Sequence, residues 1–369
     1  MPNPFIIYAI YIPEMISKLF KPRYPYLAWI QVEITSQCNS SCLYCPQHAY
    51  RDQWQANRLS RKAFESMTPA FKKTRLVYLQ GWGEPLLHPG FFDMVNMAKS
   101  AGAKVGTTTN GTLLSRPVAN QMAAEGVDII GFSLAGITEA NDQIRKGTRI
   151  STVKRAIYDL QEAKKKHGSR APAIHIAHML LRSNLSEIEN LPNFFADLGV
   201  DQVVVSSLSL VTNPEFGKEA ILADTPEQWA ALTRKIQKTR AAAAQKGVDM
   251  HFQLVSPFAE AGPCDENVCH ALVVGAGGNV SPCVMTNVPV TGETTYYFDQ
   301  MPYPLPHMSF GNIMDQPINE IWRQPDYKHF RRAFATPDLP AMCRKCYKSR
   351  MKTIELAGDN TARDLVPDF

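Results

Sequence analysis

Trp29–Cys45 reads WIQVEITSQCNSSCLYC, an apolar run that passes directly into three cysteines. Trp29–Thr35 has the length and β-branched content of a buried parallel strand. Five more runs of the same kind follow: Leu76–Gln80, Lys104–Thr108, Ile129–Ser133, Ile174–Leu180 and Gln202–Ser206. Helical periodicity fills the gaps between them. In Thr152–His167 the residues Val153, Ala156, Ile157, Leu160 and Ala163 fall on one helical face, and Gly168 follows as a stop. Pro117 begins a helix that Gly126 ends, and Gly102 and Gly199 end two others. Six strand–helix repeats predict an α/β fold with a parallel sheet and right-handed crossovers. Six units are too few to close an eight-fold barrel. The expectation is therefore an open, partial (β/α)6 barrel of the TIM type, with function at the C-terminal ends of its strands.

The chain has 369 residues, of which 45% are apolar and 20% charged, so wholesale disorder is excluded. A net charge of +5 spread over this length is no polybasic footprint for nucleic acid or membrane. No run of 18 apolar residues is present to span a bilayer. The segment Phe5–Phe20 is largely apolar, but no basic residue precedes it and no small-residue cleavage site follows, so a secretory signal is not expected. It reads as an arm packed on the domain, and Pro13 interrupts any amphipathic pattern for membrane contact.

Past residue 210 the pattern changes. Thr225–Lys246 reads as one long helix, and from residue 256 Pro, Gly and Cys become frequent. Ala271–Gly275 and Val280–Met285 flank a glycine-rich turn and predict a hairpin. The expected divisions are an arm over 1–25, a core over 26–225, a bridging helix and strand over 226–255, a small Cys-rich unit over 256–350 and a tail over 351–369.

All eight cysteines fall in clusters: Cys38, Cys42 and Cys45, then Cys264, Cys269 and Cys283, then Cys343 and Cys346. Disulfide frameworks belong to small secreted chains with little core, so reduced metal ligands in the cytoplasm are expected here. Cys38–Cys45 is C-x3-C-x2-C, placed directly after the first strand. A structural zinc site wants four protein ligands, and His48 is the only further candidate close by. Three thiolates on a [4Fe–4S] cluster leave one iron free to bind a small molecule through an amine and a carboxylate. A structural zinc knot or incidental thiols is the alternative.

The triad, its place after strand one and the partial barrel resemble the radical S-adenosylmethionine (radical SAM) enzymes. The resemblance implies reductive cleavage of S-adenosylmethionine and a 5′-deoxyadenosyl radical that removes a substrate hydrogen, with the protein orienting the ligand and excluding water. Gly81-Trp82-Gly83-Glu84-Pro85 is similar to the segment that holds the methionyl amine in that family, with Trp82 where glycine is frequent. Glycine lets backbone approach the ligand, and Glu84 can accept from an ammonium. Thr108-Thr109-Asn110-Gly111 is similar to the family's Thr-Asn-Gly stretch. Ser133 matches a hydroxyl near the ribose, Ala135 stands where many relatives carry Asp, and Arg145 matches a partner for the methionyl carboxylate. The implied cofactor-binding residues are Tyr44, Gly83, Glu84, Asn110, Ser133 and Arg145, with Cys38, Cys42 and Cys45 as the catalytic metal ligands. His175 and His178, at i, i+3 on a strand, point to opposite faces and read as structural.

Gly278–Cys283 is G-x4-C, and Cys343–Cys346 is C-x2-C. With Cys264 or Cys269 these give four thiolates, enough for zinc or [4Fe–4S]. The order of these motifs resembles the twitch, or shortened SPASM, domain, which implies one auxiliary [4Fe–4S] cluster. Cys264 is the favoured fourth ligand over Cys269, because its gap before Gly278 suits the family. By the same resemblance the substrate is a peptide or protein being matured, and the electron donor a flavodoxin or ferredoxin. A small cofactor or sugar as substrate, or a non-catalytic iron–sulfur or zinc module, are the rivals. The Gly81–Pro85 and Phe132–Gly136 segments are also similar to those of members that mature metalloenzymes or tungsten-cofactor oxidoreductases.

Overall fold

The computed structural model describes residues 27–336 and 338–355, so the Phe5–Phe20 arm lies outside the described residues. Ten strands form the main sheet. They are β1 (Leu27–Val32), β2 (Thr74–Leu79), β3 (Lys104–Thr109), β4 (Ile129–Leu134), β5 (Ala173–Leu180), β6 (Gln202–Ser207), β7 (Asp249–Val255), β8 (Ala271–Val274), β9 (Val280–Ser281) and β10 (Met351–Thr353). Their spatial order is β9-β8-β1-β2-β3-β4-β5-β6-β7-β10, a linear row with two ends. The run from β8 through β7 is parallel, while β9 and β10 attach antiparallel at the two ends. The six strands expected from the apolar runs are β1 to β6, and two further parallel strands lengthen the row. The first comes from the bridging segment. The second, β8, is half of the expected hairpin and lies beside β1, with Val32 opposite Val274.

Five helices cross over between consecutive parallel strands: α1 (Phe91–Ser100), α2 (Arg116–Ala124), α3 (Ile150–Lys166), α4 (Leu191–Leu198) and α5 (Pro226–Gln245). Their ends follow local chemistry. Pro117 lies in the first turn of α2, where its missing N–H costs nothing. Thr225 caps α5, its Oγ1 accepting from the Gln228 N–H at 3.3 Å. Gly199 closes α4 at φ 60°, a left-handed conformation that a Cβ disfavours. α3 buries Val153, Ala156, Ile157, Leu160 and Ala163, the face expected from the spacing.

Alternate strand residues serve two purposes. One set, including Ile30, Val32, Val77, Leu79, Val105, Ile130, Phe132, Ile176 and Val205, is fully or almost fully buried in the main apolar core with the helices. Each such side chain contributes about 1.5–3 kcal/mol by leaving water. The other set carries polar atoms: Gln31, Gln80 and Ser133 line cavities at the C-terminal ends of the strands. Among the described residues no helix is long and apolar enough to cross a membrane.

Candidate active site

The cysteine loop leaves β1 through Thr35 and Ser36, and a set of hydrogen bonds holds it to the following segment. Ser36 Oγ donates to the Gln55 carbonyl at 2.6 Å, Trp54 Nε1 donates to the Ser36 carbonyl at 2.9 Å, and the Leu59 N–H donates to the Ile34 carbonyl at 2.9 Å. Ser41–Cys42 then forms a two-residue antiparallel ladder with Arg145–Lys146, with Cys42 directly opposite Arg145. Gly147 follows at φ +92°, and a Cβ there would lie 3.1 Å from the Asn39 carbonyl, so the close approach suits glycine. Cys45 stands at the N-cap of the short helix Pro46–Ala49. Asn110, at the end of β3, fastens the loop from the other side. Its Nδ2 donates to Asn39 Oδ1 at 2.8 Å and to Ser40 Oγ at 2.9 Å, and lies 4.0 Å from Cys38 Sγ. Cys38, Cys42 and Cys45 thereby line one cavity of about 210 Å³.

The opposite wall is the Gly81–Pro85 turn after β2. A Cβ on Gly83 would sit 2.2 Å from the Thr35 carbonyl oxygen and 2.6 Å from that of Gln37, so only glycine fits. Glu84 is buried. Its Oε1 accepts from Thr109 Oγ1 at 2.8 Å and the Leu86 N–H at 3.2 Å, and its Oε2 accepts from the Asn110 N–H at 2.7 Å. A carboxylate has about four lone-pair sites, so one site on Oε2 remains for a further donor. Burial raises the proton affinity of Glu84 against these three donors. Trp82 and Ser133 also line the cavity.

Arg145 brings a buried cation to the same cavity. Its Nη1 donates to the Tyr44 hydroxyl, and its guanidinium carbon lies 5.9 Å from the Tyr44 ring centroid. Its Nε is buried with no partner among the described residues. Burial alone would weaken the charge, but Tyr44 and the Cys42 thiol more than offset it, and the group stays protonated. Tyr44 keeps its proton through burial. Burial, then the neighbouring Cys42, pushes Cys45 up to about 12, and burial raises Cys38. Such thiols become thiolates when a metal supplies the compensating charge. Among the described residues no three His, Cys, Asp or Glu side chains are spaced to hold a single metal ion. Three soft sulfur donors around an open cavity suit a cluster, in which each cysteine takes a different iron.

A second thiol group lies beside β8 and β9. Cys283 follows β9 at the N-cap of a 3-10 turn, its Sγ 3.8 Å from Thr286 Oγ1. The Cys346 N–H donates to the Cys343 carbonyl at 3.2 Å. Burial dominates the raised proton affinity of all these thiols, and the smaller contributions trace their neighbours: Cys283 acts on Cys264, Cys346 on Cys283 and Cys346 on Cys343. Cys283 and Cys343 reach about 12. Cys269 stands differently: its Sγ donates to the Arg331 carbonyl at 3.6 Å, and Arg331 is the charge that acts on it. Lys348 joins the group as a partly buried cation paired with Asp265 at 3.4 Å and with Glu266. Asp265, Glu266 and Lys348 line a second cavity of about 360 Å³, which shares Gln80, Gly81, Trp82 and Met285 with the first.

Sequence reasoning missed Glu33, Lys348 and Glu266. Glu33 had a visible signal, a carboxylate at the inward parity of an otherwise apolar strand. The partners of Lys348 lie more than 80 residues away, and no local pattern links them.

An open parallel barrel with a cysteine triad, a glycine-rich turn and a buried Arg at its C-terminal rim defines a radical SAM enzyme. Residues 32–195 match the radical SAM superfamily, and residues 264–347 match the SPASM iron–sulfur cluster-binding domain. The chain belongs to the SPASM-bearing members of that superfamily. It is 26% identical over 315 residues to a tungsten-containing aldehyde ferredoxin oxidoreductase cofactor-modifying protein of Pyrococcus furiosus, covering 83% of each chain. It is 24% identical to a PqqA peptide cyclase of Streptomyces rochei, covering 91% of this chain and 88% of the relative. Its fold matches that of SuiB from Streptococcus suis bound to S-adenosylmethionine at a TM-score of 0.62, with 15% identity over 91% of this chain and 75% of that one. When bound, the [4Fe–4S] cluster of the radical SAM domain supplies the electron that cleaves S-adenosylmethionine, and the SPASM domain binds auxiliary iron–sulfur.

Proposed function

We propose that this chain is a cytoplasmic maturase that uses radical SAM chemistry to modify a peptide or protein. Cys38, Cys42 and Cys45 hold the catalytic cluster. Arg145 takes the methionyl carboxylate through its unpartnered edge, Glu84 takes the amine through its remaining lone pair, and Ser133 faces the ribose. Tyr44, Gly83 and Asn110 keep these groups in place. Cys264, Cys283, Cys343 and Cys346 hold one auxiliary cluster, and a flavodoxin or ferredoxin delivers the electron. The observation that carries the reading is that a second cavity adjoins the first, with Gln80, Gly81, Trp82 and Met285 lining both. The pair reaches from the triad to Asp265 and Val284, which adjoin Cys264 and Cys283 in sequence, and the likeness to a peptide cyclase supports a peptide substrate.

A small cofactor is the second reading, supported by the likeness to the Pyrococcus furiosus cofactor-modifying protein. An anaerobic assay with deuterated candidates separates the two. Deuterium in 5′-deoxyadenosine from a peptide supports the maturase, and deuterium from a small cofactor alone overturns it. Cys42→Ala is expected to keep the fold and abolish 5′-deoxyadenosine formation, and full turnover by that variant rejects the triad assignment.

A further inference from the structure

A separate cavity of about 500 Å³ opens on the other side of the cysteine loop. Cys38, Ser40 and Gln47 line both this cavity and the ligand cavity, so a single layer of side chains divides them. Among the described residues the charged ones in its lining are Arg51 and Lys146, with no carboxylate. Both cations are exposed. They converge on one point of the loop: Arg51 Nη2 donates to Ser41 Oγ at 3.1 Å, and Lys146 stands opposite Ser41 in the two-residue ladder. Arg58, also exposed, donates from Nε to Gln37 Oε1 at 3.0 Å, next to Cys38. Burial and then the charges of Arg51 and Lys146 hold His48 below the usual imidazole value.

We propose that this basic rim over Cys38 is the docking face for an acidic one-electron carrier protein. The inference rests on reading the triad as iron–sulfur ligands. Electron transfer slows steeply with distance, so a carrier must settle where the covering over the triad is thinnest. The inner side of the triad is taken by the ligand cavity, which leaves the Cys38 face. One electron leaves the carrier, and no atom or proton is exchanged. Rim cations of this kind steer an acidic partner and raise its on-rate, an effect that salt weakens.

The test compares iron-loaded wild-type protein with the double variant Arg51→Glu, Lys146→Glu, and with the milder pair Arg51→Gln, Lys146→Ala. Oxidised flavodoxin is titrated onto each at about 50 mM and about 300 mM salt, which changes the screening of surface charges. 5′-Deoxyadenosine is then measured with reduced flavodoxin and, separately, with dithionite. The expected result is a Kd for flavodoxin raised about tenfold in the charge-reversed variant, with a flattened salt dependence. Turnover with limiting flavodoxin falls in parallel, while turnover with dithionite stays within about twofold. An unchanged Kd overturns the proposal. Equal loss with both reductants also overturns it, since the cations then serve the fold or an acidic substrate. If wild-type protein forms no 5′-deoxyadenosine with either reductant, the radical SAM assignment of the triad fails, and the binding titration still decides the docking face.

Discussion

Glu33 and Ala276 are joined by a hydrogen bond across 243 positions of sequence, the Ala276 N–H donating to Glu33 Oε2 at 3.2 Å. The other carboxylate oxygen accepts from the Trp82 N–H at 2.7 Å. One side chain on the exit of β1 therefore ties the glycine-rich turn of the ligand cavity to the turn between β8 and β9, a few residues ahead of Cys283.

The Glu33 carboxyl titrates at about 7, because burial raises it against the N–H donors of Trp82, Ala276 and Gly83. The folded state therefore binds this proton more tightly than the unfolded chain does. The stabilisation is fully present below the ordinary value of 4.5 and is lost as pH climbs to about 7. A shift of this size corresponds to at most about 3.4 kcal/mol. Denaturant midpoints taken anaerobically across this window should fall as pH rises. Glu33→Gln should flatten the decline, and an unaltered pH profile in that variant assigns the decline to other groups.

Gly83→Ala tests the close packing of the turn on the cysteine loop. The added methyl would meet backbone oxygens of Thr35 and Gln37 rather than a flexible side chain, and the Glu84 N–H bond to the Gln37 carbonyl at 2.8 Å would be pushed apart. The expected cost is about 1–3 kcal/mol of stability. Affinity for S-adenosylmethionine should drop at least about tenfold, since the same shift displaces Glu84. Gly262→Ala is the control, with nothing within 4 Å of its Cβ position. Wild-type affinity in Gly83→Ala, measured by calorimetry, contradicts this account.

What could be read from sequence was what local physics determines. The strands β1 to β6 were legible because each is a short apolar run whose outer face packs on a crossover helix. The helix ends at Gly126 and Gly199 were legible because few other residues adopt their φ. The cysteine triad was legible because its ligands lie within eight residues. Contacts decided by tertiary closure were not. β8 reads as half of a local hairpin, and its parallel pairing with β1 depends on a 240-residue return of the chain. The Arg145–Tyr44 bond spans 101 positions, so the resemblance marks each residue separately and only the fold makes them a buried pair. Glu84 reads as a free carboxylate, whereas three of its lone-pair sites serve the loops around it.

Arg145→Lys separates charge from shape at that pair. Lysine keeps the positive charge but lacks the planar fork, so it cannot hold Tyr44 and also present a second N–H edge to a carboxylate. The KM for S-adenosylmethionine should rise about tenfold or more. The iron content should be unchanged, because the backbone ladder that sets Cys42 opposite residue 145 and the positive charge beside the thiols are both kept. Loss of iron together with affinity would instead make Arg145 a structural prop of the cysteine loop.

Cys264 and Cys269 compete for one place in the auxiliary set, and the electrostatics of the site favours Cys264. Cys264 lies within the influence of Cys283, whereas Cys269 donates to the Arg331 carbonyl. A thiol already bound to a backbone oxygen must break that bond and move to reach iron. Cys264→Ala is therefore expected to lower bound iron from about eight to about four per chain, the loss of one four-iron cluster. Cys269→Ala should leave the iron content intact and cost only the packing of a small, partly buried thiol, at most about 1 kcal/mol. Iron analysis and low-temperature electron paramagnetic resonance on anaerobically purified variants decide the matter. If Cys269→Ala loses the cluster and Cys264→Ala keeps it, the hydrogen bond to Arg331 belongs to a cysteine that swings inward when iron binds, and the ligand set changes accordingly.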